Sequence, residues 1–523
     1  MSLLLTSMNN VNEAFRKAGS FDSDIGMFSG FTPLDILSAN IEHAYDMAEM
    51  IDISGLSVDL LNGGMFNFPY TEIGLSAVGK TTLWLQVLAG CVDNWYKYYG
   101  PVSDLFFYNV EGHTSPDRVK RVTKWSEQQM AERLHMVNEP WSIIEIYNDI
   151  AKFARYKLEH KKEIEIETGV KNILGQNIKT LPTTYVLIDS IAAVRKKTEL
   201  EFDKNGEVKS TDSVAGTSNM DAMGIANDNT KFINEVKKLC SDAKICLVMI
   251  NHLVEIPVLD RYNPPKPQLP GMKFNQKVKG GTELLYQSFC VGQLSIRERM
   301  FKDKDKVYGQ LIHGLINFME WIKNKNGPEG VKYPMVFSSE DGYMPELTDF
   351  EILYSEGAGY GIKGSPLNYH LAVLPEITFT KKTLLDQCHA NPILARALSF
   401  TCRLYLVSKI INREDPPSLD DFENIPFEYR IDMILQHSID YPGYNNMGYF
   451  VPDEYYAISS EISQTLNRIE RPNLSINSAD IDLFSMSEGE LTDTQREFAW
   501  FGDDTPTVTI GETEFVIPDG EKW

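Results

Sequence analysis

The 523-residue sequence predicts an α/β fold with a mainly parallel, twisted sheet, and three observations predict it. From about 51 to 362, short β-rich runs alternate with helical stretches, the pattern of a parallel sheet covered by helices. Three of those runs end in polar groups: Leu105–Val110 at Glu111, Tyr185–Ile188 at Asp189, and Ile245–Ile250 at Asn251 and His252. A fourth, Tyr70–Ile73, leads into a glycine-bearing turn and then into the helix-forming residues Thr82–Ala89. Open α/β sheets bind ligands at the carboxyl ends of their strands, so these polar ends mark one candidate site.

Taken in order, residues 1–50 contain amphipathic helical stretches at Val11–Lys17 and Ile36–Ile51. Residues 51–362 form the α/β core. Within it, Asn227–Cys240 places Phe232, Ile233, Val236, Leu239 and Cys240 on one helical face, which reads as core. Residues 363–450 read as a mostly helical C-terminal domain. Its stretch Phe379–Ile411, with Leu384, Leu385, Leu394, Leu398, Leu404 and Val407, is expected to enclose a small core of its own. Residues 451–523 are acidic and loop-like.

Composition narrows the function classes. Hydrophobic residues make up 43 % and charged residues 24 %, ordinary for a folded chain of more than one domain. No apolar run approaches the ~18–20 residues of a membrane-spanning helix. The start has no basic flank or cleavage pattern, so no signal peptide is read. The cysteines Cys91, Cys240, Cys246, Cys290, Cys388 and Cys402 form no C-x-x-C pair. They read as buried thiols of a cytoplasmic protein, not as zinc ligands. The net charge of −23 argues against nucleic-acid binding over the whole surface. Much of it is local, because 451–523 holds 16 Asp/Glu against 4 Lys/Arg. That tail reads equally as a solvated end or as an electrostatic competitor for an anionic ligand.

Residues Gly74-Leu75-Ser76-Ala77-Val78-Gly79-Lys80-Thr81 match G-x-x-x-x-G-K-[ST] without a mismatch. The glycines let backbone N–H groups turn toward phosphate oxygens, and the helix that follows adds positive potential. Gly74, Ser76, Ala77, Val78, Gly79, Lys80, Thr81 and Thr82 are therefore the candidate ATP-binding residues. Lys80 would contact the β- and γ-phosphates and the Thr81 hydroxyl would hold Mg²⁺. Asp189 ends an apolar strand as a metal-associated carboxylate should, with an ordinary strand-end turn aspartate as the lesser alternative. Glu111 is the candidate for orienting or deprotonating water.

The segments Ile53–Leu83, Tyr108–Val119, Tyr185–Val194, Leu247–Leu253, Gly280-Gly281, Trp321–Glu329 and Phe350–Gly357 together resemble, in order and approximate spacing, the RecA/UvsX-type DNA recombinases. The likeness covers about 51–362 and leaves both ends uncovered. It implies a RecA-type P-loop NTPase core, ATP and Mg²⁺ as ligands, and helical homo-oligomeric filaments on single-stranded DNA that pair with homologous duplex DNA. It also implies single-strand-binding or mediator proteins as partners, and an N-terminal helix within 1–50 that packs on the adjacent subunit. Residue by residue, Glu111 matches the catalytic glutamate and Asp189 the metal-associated carboxylate. Lys323 and Lys325 match lysines that reach the nucleotide of a neighbouring subunit; on composition alone they read as a solvated turn. His252 stands where the family has a glutamine that senses the γ-phosphate. A neutral imidazole cannot donate and accept both ways as an amide does. Arg118 stands where the family often has an adenine-stacking tyrosine, and a guanidinium can stack on a base. The divergence and the long extensions suit a phage-encoded member, acting in bacterial or infected-host cytoplasm.

Two segments sit where that family binds DNA. The first, about Arg195–Asn219, opens with Arg195, Lys196 and Lys197. The second, about Val254–Gly281, holds Arg261, Lys266, Lys273, Lys277 and Lys279 against Glu255 and Asp260. Its prolines, Pro257, Pro264, Pro265, Pro267 and Pro270, make it irregular. Tyr262 and Phe274 could contact base faces, with Met272 alongside. By composition this is an ordinary surface loop; its position behind His252 favours DNA. An ATP-gated structural polymer without DNA binding, and a ring motor or helicase on the same core, remain the alternatives.

Overall fold

The computed structural model describes residues 26–37, 64–171, 177–194, 214–257, 266–279, 281–301 and 312–412, with scattered positions between 415 and 434. It also describes the backbone of four short strands: β1 (Ile51–Ile53), β2 (Leu56–Val58), β18 (Thr507–Ile510) and β19 (Thr513–Val516).

One large mixed sheet organises the chain. Its strands are β3 (Pro69–Gly74), β4 (Leu105–Asn109), β5 (Leu134–Val137), β8 (Thr184–Asp189), β9 (Ile245–Glu255) and β10 (Gln276–Val278), followed by β11 (Cys290–Phe301), β12 (Ile312–Asn324), β13 (Lys332–Ser338) and β14 (Gly342–Tyr343). The order is β14-β13-β12-β11-β3-β9-β8-β4-β5, with β10 paired to β9. From β11 to β5 all neighbours are parallel, whereas β12, β13 and β14 extend the sheet antiparallel. Between β5 and β8, β6 (Ile166–Lys171) and β7 (Asn177–Thr180) form a separate hairpin.

The central strands are apolar on both sides because helices cover both faces. Side chains alternate across a strand, so β8 and β9 divide between two cores. Tyr185, Leu187, Cys246, Val248 and Ile250 join Tyr70 beneath the helix Lys80–Tyr99, against Trp84, Leu88, Val92 and Trp95. Val186, Ile188, Ile245, Leu247 and Met249 face the helices Ile143–Glu159 and Val214–Ala243. There Phe232, Ile233, Val236 and Cys240 are buried as the helical face predicts, and Leu239 packs at its margin. All six cysteines are buried and unpaired.

Three expectations change. The strand expected to end at Ile250 runs on to Glu255, because β10 folds back antiparallel and pairs Val278 with Leu253 and Gln276 with Glu255. The supposed irregular loop is thus bounded by hydrogen-bonded strand. The C-terminal region is not helical from its start: β15 (Ile362–Ser365), β16 (Asn368–Leu371) and β17 (Leu374–Phe379) make an antiparallel sheet first. The helices that follow, Leu384–Ala390 and Pro392–Leu406, do not enclose a core of their own. Leu384, Leu394, Leu398 and Leu404 join the core beneath the helix Lys80–Tyr99, because β13 and β14 widen that face of the sheet and leave apolar surface to cover.

The described part of the N-terminal segment is also internal to this chain. Helix Thr32–Leu37 is wholly buried, with Thr32 Oγ1 bonded to Asp349 Oδ2 (2.9 Å) and to Ser399 Oγ (2.7 Å). The stretch Val11–Lys17 lies outside the described residues, as does Ile36–Ile51 apart from its ends, where Ile36 and Leu37 close the helix Thr32–Leu37 and Ile51 opens β1; the acidic region 451–523 does so too apart from β18 and β19. Among the described residues no helix is long and apolar enough to cross a membrane.

Candidate nucleotide site

The β3 strand ends at Gly74 and the helix begins at Lys80, so residues 75–79 form a tight turn at a strand's carboxyl end. Ala77 and Gly79 have φ of 60° and 87°, the left-handed region that Gly79 reaches without strain. A side chain at Gly79 would also meet the Tyr343 hydroxyl at 2.9 Å, and one at Gly74 the Leu294 carbonyl at 2.7 Å. Both motif glycines are therefore required by backbone geometry or space. The turn exposes Ser76 and Ala77 and buries Val78.

Lys80 is buried and donates from Nζ to the carbonyls of Gly74 (3.0 Å) and Leu75 (2.7 Å). Burial lowers its pKa; Glu72, Asp189 and Glu111 oppose that shift through charge. Thr81 Oγ1 donates to Asp189 Oδ2 at 2.7 Å, joining the first helical turn to the end of β8. Burial raises the Asp189 pKa, as does the Glu111 charge, against the Thr81 hydrogen bond and the charges of Lys80 and His252.

Glu111 follows β4, which is paired with β8, and its N–H donates to the Asp189 carbonyl (3.2 Å). Its carboxylate accepts from Ser190 Oγ and lies 2.9 Å from His252 Nε2 and 3.4 Å from His113 Nδ1. Burial pushes this carboxyl up, yet the Ser190 and His252 hydrogen bonds and the two histidines outweigh it and hold the pKa below the ordinary value. The contact with a carboxylate assigns the proton to His252 Nε2. His252 Nδ1 has no hydrogen-bond partner among the described residues. The sheet register sets these neighbours: Gly74 pairs with His252, and Asn109 with Asp189.

A cleft of about 610 Å³ results, lined by Ser76–Thr82, Glu111, His113, Asp189, His252 and Lys279 among others. Backbone N–H groups of the turn could hold an anion there, and the Thr81–Asp189 pair could hold a hard cation beside it. Among the described residues no group of three or more His, Cys, Asp or Glu could hold a metal by itself.

The other candidates lie elsewhere. Arg118 does not line the cleft; its guanidinium donates to Ser339 O (3.1 Å), Glu340 O (3.2 Å) and Thr82 Oγ1 (3.3 Å), at the rim beside the helix Lys80–Tyr99. Lys323 lies opposite Val291, which is level with Thr71, and Lys325 lies beyond. Both therefore sit toward the amino ends of the parallel strands, away from Gly74. Lys323 Nζ donates to Leu285 O (3.1 Å), Tyr286 O (2.6 Å) and Ser288 O (2.6 Å), while Lys325 is exposed.

Of the second basic segment, Lys266, Lys273, Phe274, Lys277 and Lys279 are exposed. Met272 is not available to bases as expected, because it packs with Leu269 and Val278 in a small core. Lys279 is tied to the cleft through its backbone: its carbonyl accepts from Asn251 Nδ2 (2.9 Å) and its N–H donates to the His252 carbonyl (3.3 Å). Arg195, Lys196, Lys197, Arg261 and Tyr262 lie outside the described residues.

Sequence reasoning missed Ser190 and His113, although each lies within two residues of a chosen carboxylate. It also missed Asn317 and Tyr343, which contact the loop from strands more than 200 residues away and give no local signal. Compared with known families and with characterised proteins, the chain matches no family model and no curated protein.

Proposed function

We propose that the protein is an ATPase of the RecA recombinase type, which hydrolyses ATP as a filament on single-stranded DNA and pairs that strand with homologous duplex. The observation that supports this reading is the convergence in one cleft of Lys80, Thr81, Asp189, Glu111 and His252 at the carboxyl ends of adjacent strands.

The turn suits a triphosphate: Ala77 and Gly79 hold the positive φ of an anion-binding turn, and Tyr343 behind the loop leaves no room for a side chain at Gly79. Thr81 and Asp189 are the residues that would hold Mg²⁺, which when bound neutralises charge on the β- and γ-phosphates. Lys80 would exchange the Gly74 and Leu75 carbonyls for phosphate oxygens. Glu111, ionised at neutral pH, would accept a hydrogen bond from the attacking water and take its proton as the γ-phosphoryl group moves to it; ADP leaves as the product. Ser190 and His252 fix the direction of that carboxylate.

Binding of DNA by Lys266, Lys273, Phe274, Lys277 and Lys279 would be coupled to this chemistry. A shift of His252 acts on the backbone of Lys279, to which it is hydrogen-bonded. The exposed Lys325 at the other end of the sheet suits contact with a nucleotide on a neighbouring subunit.

The test is ATP hydrolysis with and without single-stranded DNA, for the wild type and Lys80→Ala. Stimulation by DNA that disappears in Lys80→Ala is the expected result. Lys80-dependent hydrolysis indifferent to DNA would reduce the reading to a P-loop ATPase.

A further inference from the structure

Behind the phosphate loop, on the side away from the cleft, two polar side chains converge on one backbone carbonyl. Asn317 on β12 donates from Nδ2 to Val78 O (2.9 Å) and to Tyr343 Oη (2.6 Å). Tyr343 on β14 donates from Oη to the same Val78 carbonyl (3.1 Å). Asn317 is 0 % exposed and Tyr343 2 %. Tyr343 is itself clamped to the phosphate-loop helix: its N–H donates to Gln86 Oε1 (2.7 Å), and its carbonyl accepts from Gln86 Nε2 (3.1 Å).

Packing alone does not ask for these groups. The interior around them is apolar and aromatic, with Val78, Met319, Met335 and Trp321 in the same core. Asn317 buries its Oδ1 without a hydrogen-bond partner among the described residues, which opposes folding. Its amide nitrogen nevertheless serves the carbonyl two residues before Lys80, both directly and through the Tyr343 hydroxyl. A trans peptide is planar, and its C=O and N–H point in opposite directions. Holding Val78 O inward therefore turns the Gly79 N–H outward, toward the cleft that Val78, Gly79 and Lys80 line. The positive φ of 87° at Gly79, open to glycine without strain, is the companion of this orientation.

We infer that Asn317 and Tyr343 are positioning residues for phosphate binding: together they lock the Val78–Gly79 peptide so that its N–H presents to an anion. The inference rests on the nucleotide reading of the cleft and adds to it two residues remote in sequence from the loop. They touch no ligand themselves; they act through the backbone.

The experiment measures binding of ATP, ADP and inorganic tripolyphosphate to the full chain carrying Tyr343→Phe or Asn317→Ala, beside wild type and Tyr333→Phe. Tyr333 is a matched control, a tyrosine buried in the same core whose hydroxyl has no hydrogen-bond partner among the described residues. All three ligands are expected to bind about tenfold more weakly to Tyr343→Phe, the loss of one buried hydrogen bond. Tyr333→Phe should bind as wild type does. KM for ATP should rise with kcat held within about twofold, because the residues act on binding and not on the attacking water. Asn317→Ala should follow Tyr343→Phe; if it fails to fold, the isosteric Tyr343→Phe still decides. Unchanged affinities in a wild type that binds tripolyphosphate would overturn the positioning role and leave the nucleotide site standing. Equal losses in Tyr333→Phe would overturn it too, by making the effect one of general packing. A wild type that binds neither ATP nor tripolyphosphate would overturn the nucleotide reading and this inference with it.

Discussion

Lys80 and Lys323 stand toward opposite ends of the same sheet and are held in the same way. Each donates to backbone carbonyls of its own chain, and burial lowers the pKa of each. Their charge surroundings differ. Three carboxyl groups, Glu72, Asp189 and Glu111, act on Lys80 and support its cation. Lys323 has Lys325 and Lys237 against Glu329, and its pKa falls to about 8. The difference teaches that Lys80 stands among carboxyl groups that support its cation, whereas the surroundings of Lys323 include two further cations, Lys325 and Lys237.

The largest expected effect follows from the site around Lys80. Lys80→Ala should lower ATP hydrolysis by about 10²-fold or more, read as phosphate release at saturating ATP. If hydrolysis survives, the cleft is not where ATP reacts.

The opposite end is sharpened by separating its two lysines. If the proposed contact with a neighbouring subunit's nucleotide holds, Lys325→Ala should cost about tenfold or more in DNA-stimulated hydrolysis without changing the melting temperature, because the side chain is exposed. Lys323→Ala should lower the melting temperature as well, because it leaves the Leu285, Tyr286 and Ser288 carbonyls without their shared donor. Mixing Lys80→Ala with Lys325→Ala protein should restore part of the activity that each lacks alone. No recovery on mixing would place the action of Lys325 within its own subunit.

The smallest effect concerns Glu72, buried under the loop with neither carboxylate oxygen hydrogen-bonded among the described residues. Burial pushes its pKa up to about 8, against the opposing charge of Lys80. A carboxyl raised in the folded state contributes stability that is full below about pH 4.5 and is lost as pH rises through about 8. Glu72→Gln should therefore raise the melting temperature more at pH 8.5 than at pH 5.5. An equal change at both pH values would show that Glu72 is not the titrating group.

These contrasts bear on what the chain made legible. The strands that end at Glu111 and Asp189, and the turn Gly74–Thr81, were readable because apolar runs and a motif are local signals. The extension of β9 was not, because it depends on β10 pairing back from more than 20 residues away. The shared core of the C-terminal helices was hidden for a related reason. Amphipathic periodicity shows that a helix has an apolar face, not which surface covers it. Arg118 read as a free stacking group, but the 339–340 carbonyls that take its guanidinium are over 200 residues distant. Asn317 and Tyr343 likewise look like ordinary strand residues until the sheet brings them under Val78.

The most direct measurement is on Glu111→Gln, with ATP binding and phosphate release determined on the same preparation. Loss of hydrolysis by about 10²–10⁴-fold, with ATP affinity close to that of the wild type, is the predicted result for a residue that directs water and does not hold the nucleotide. Hydrolysis at the wild-type rate would contradict the account, because the carboxylate fixed by Ser190 and His252 would then have no part in the reaction.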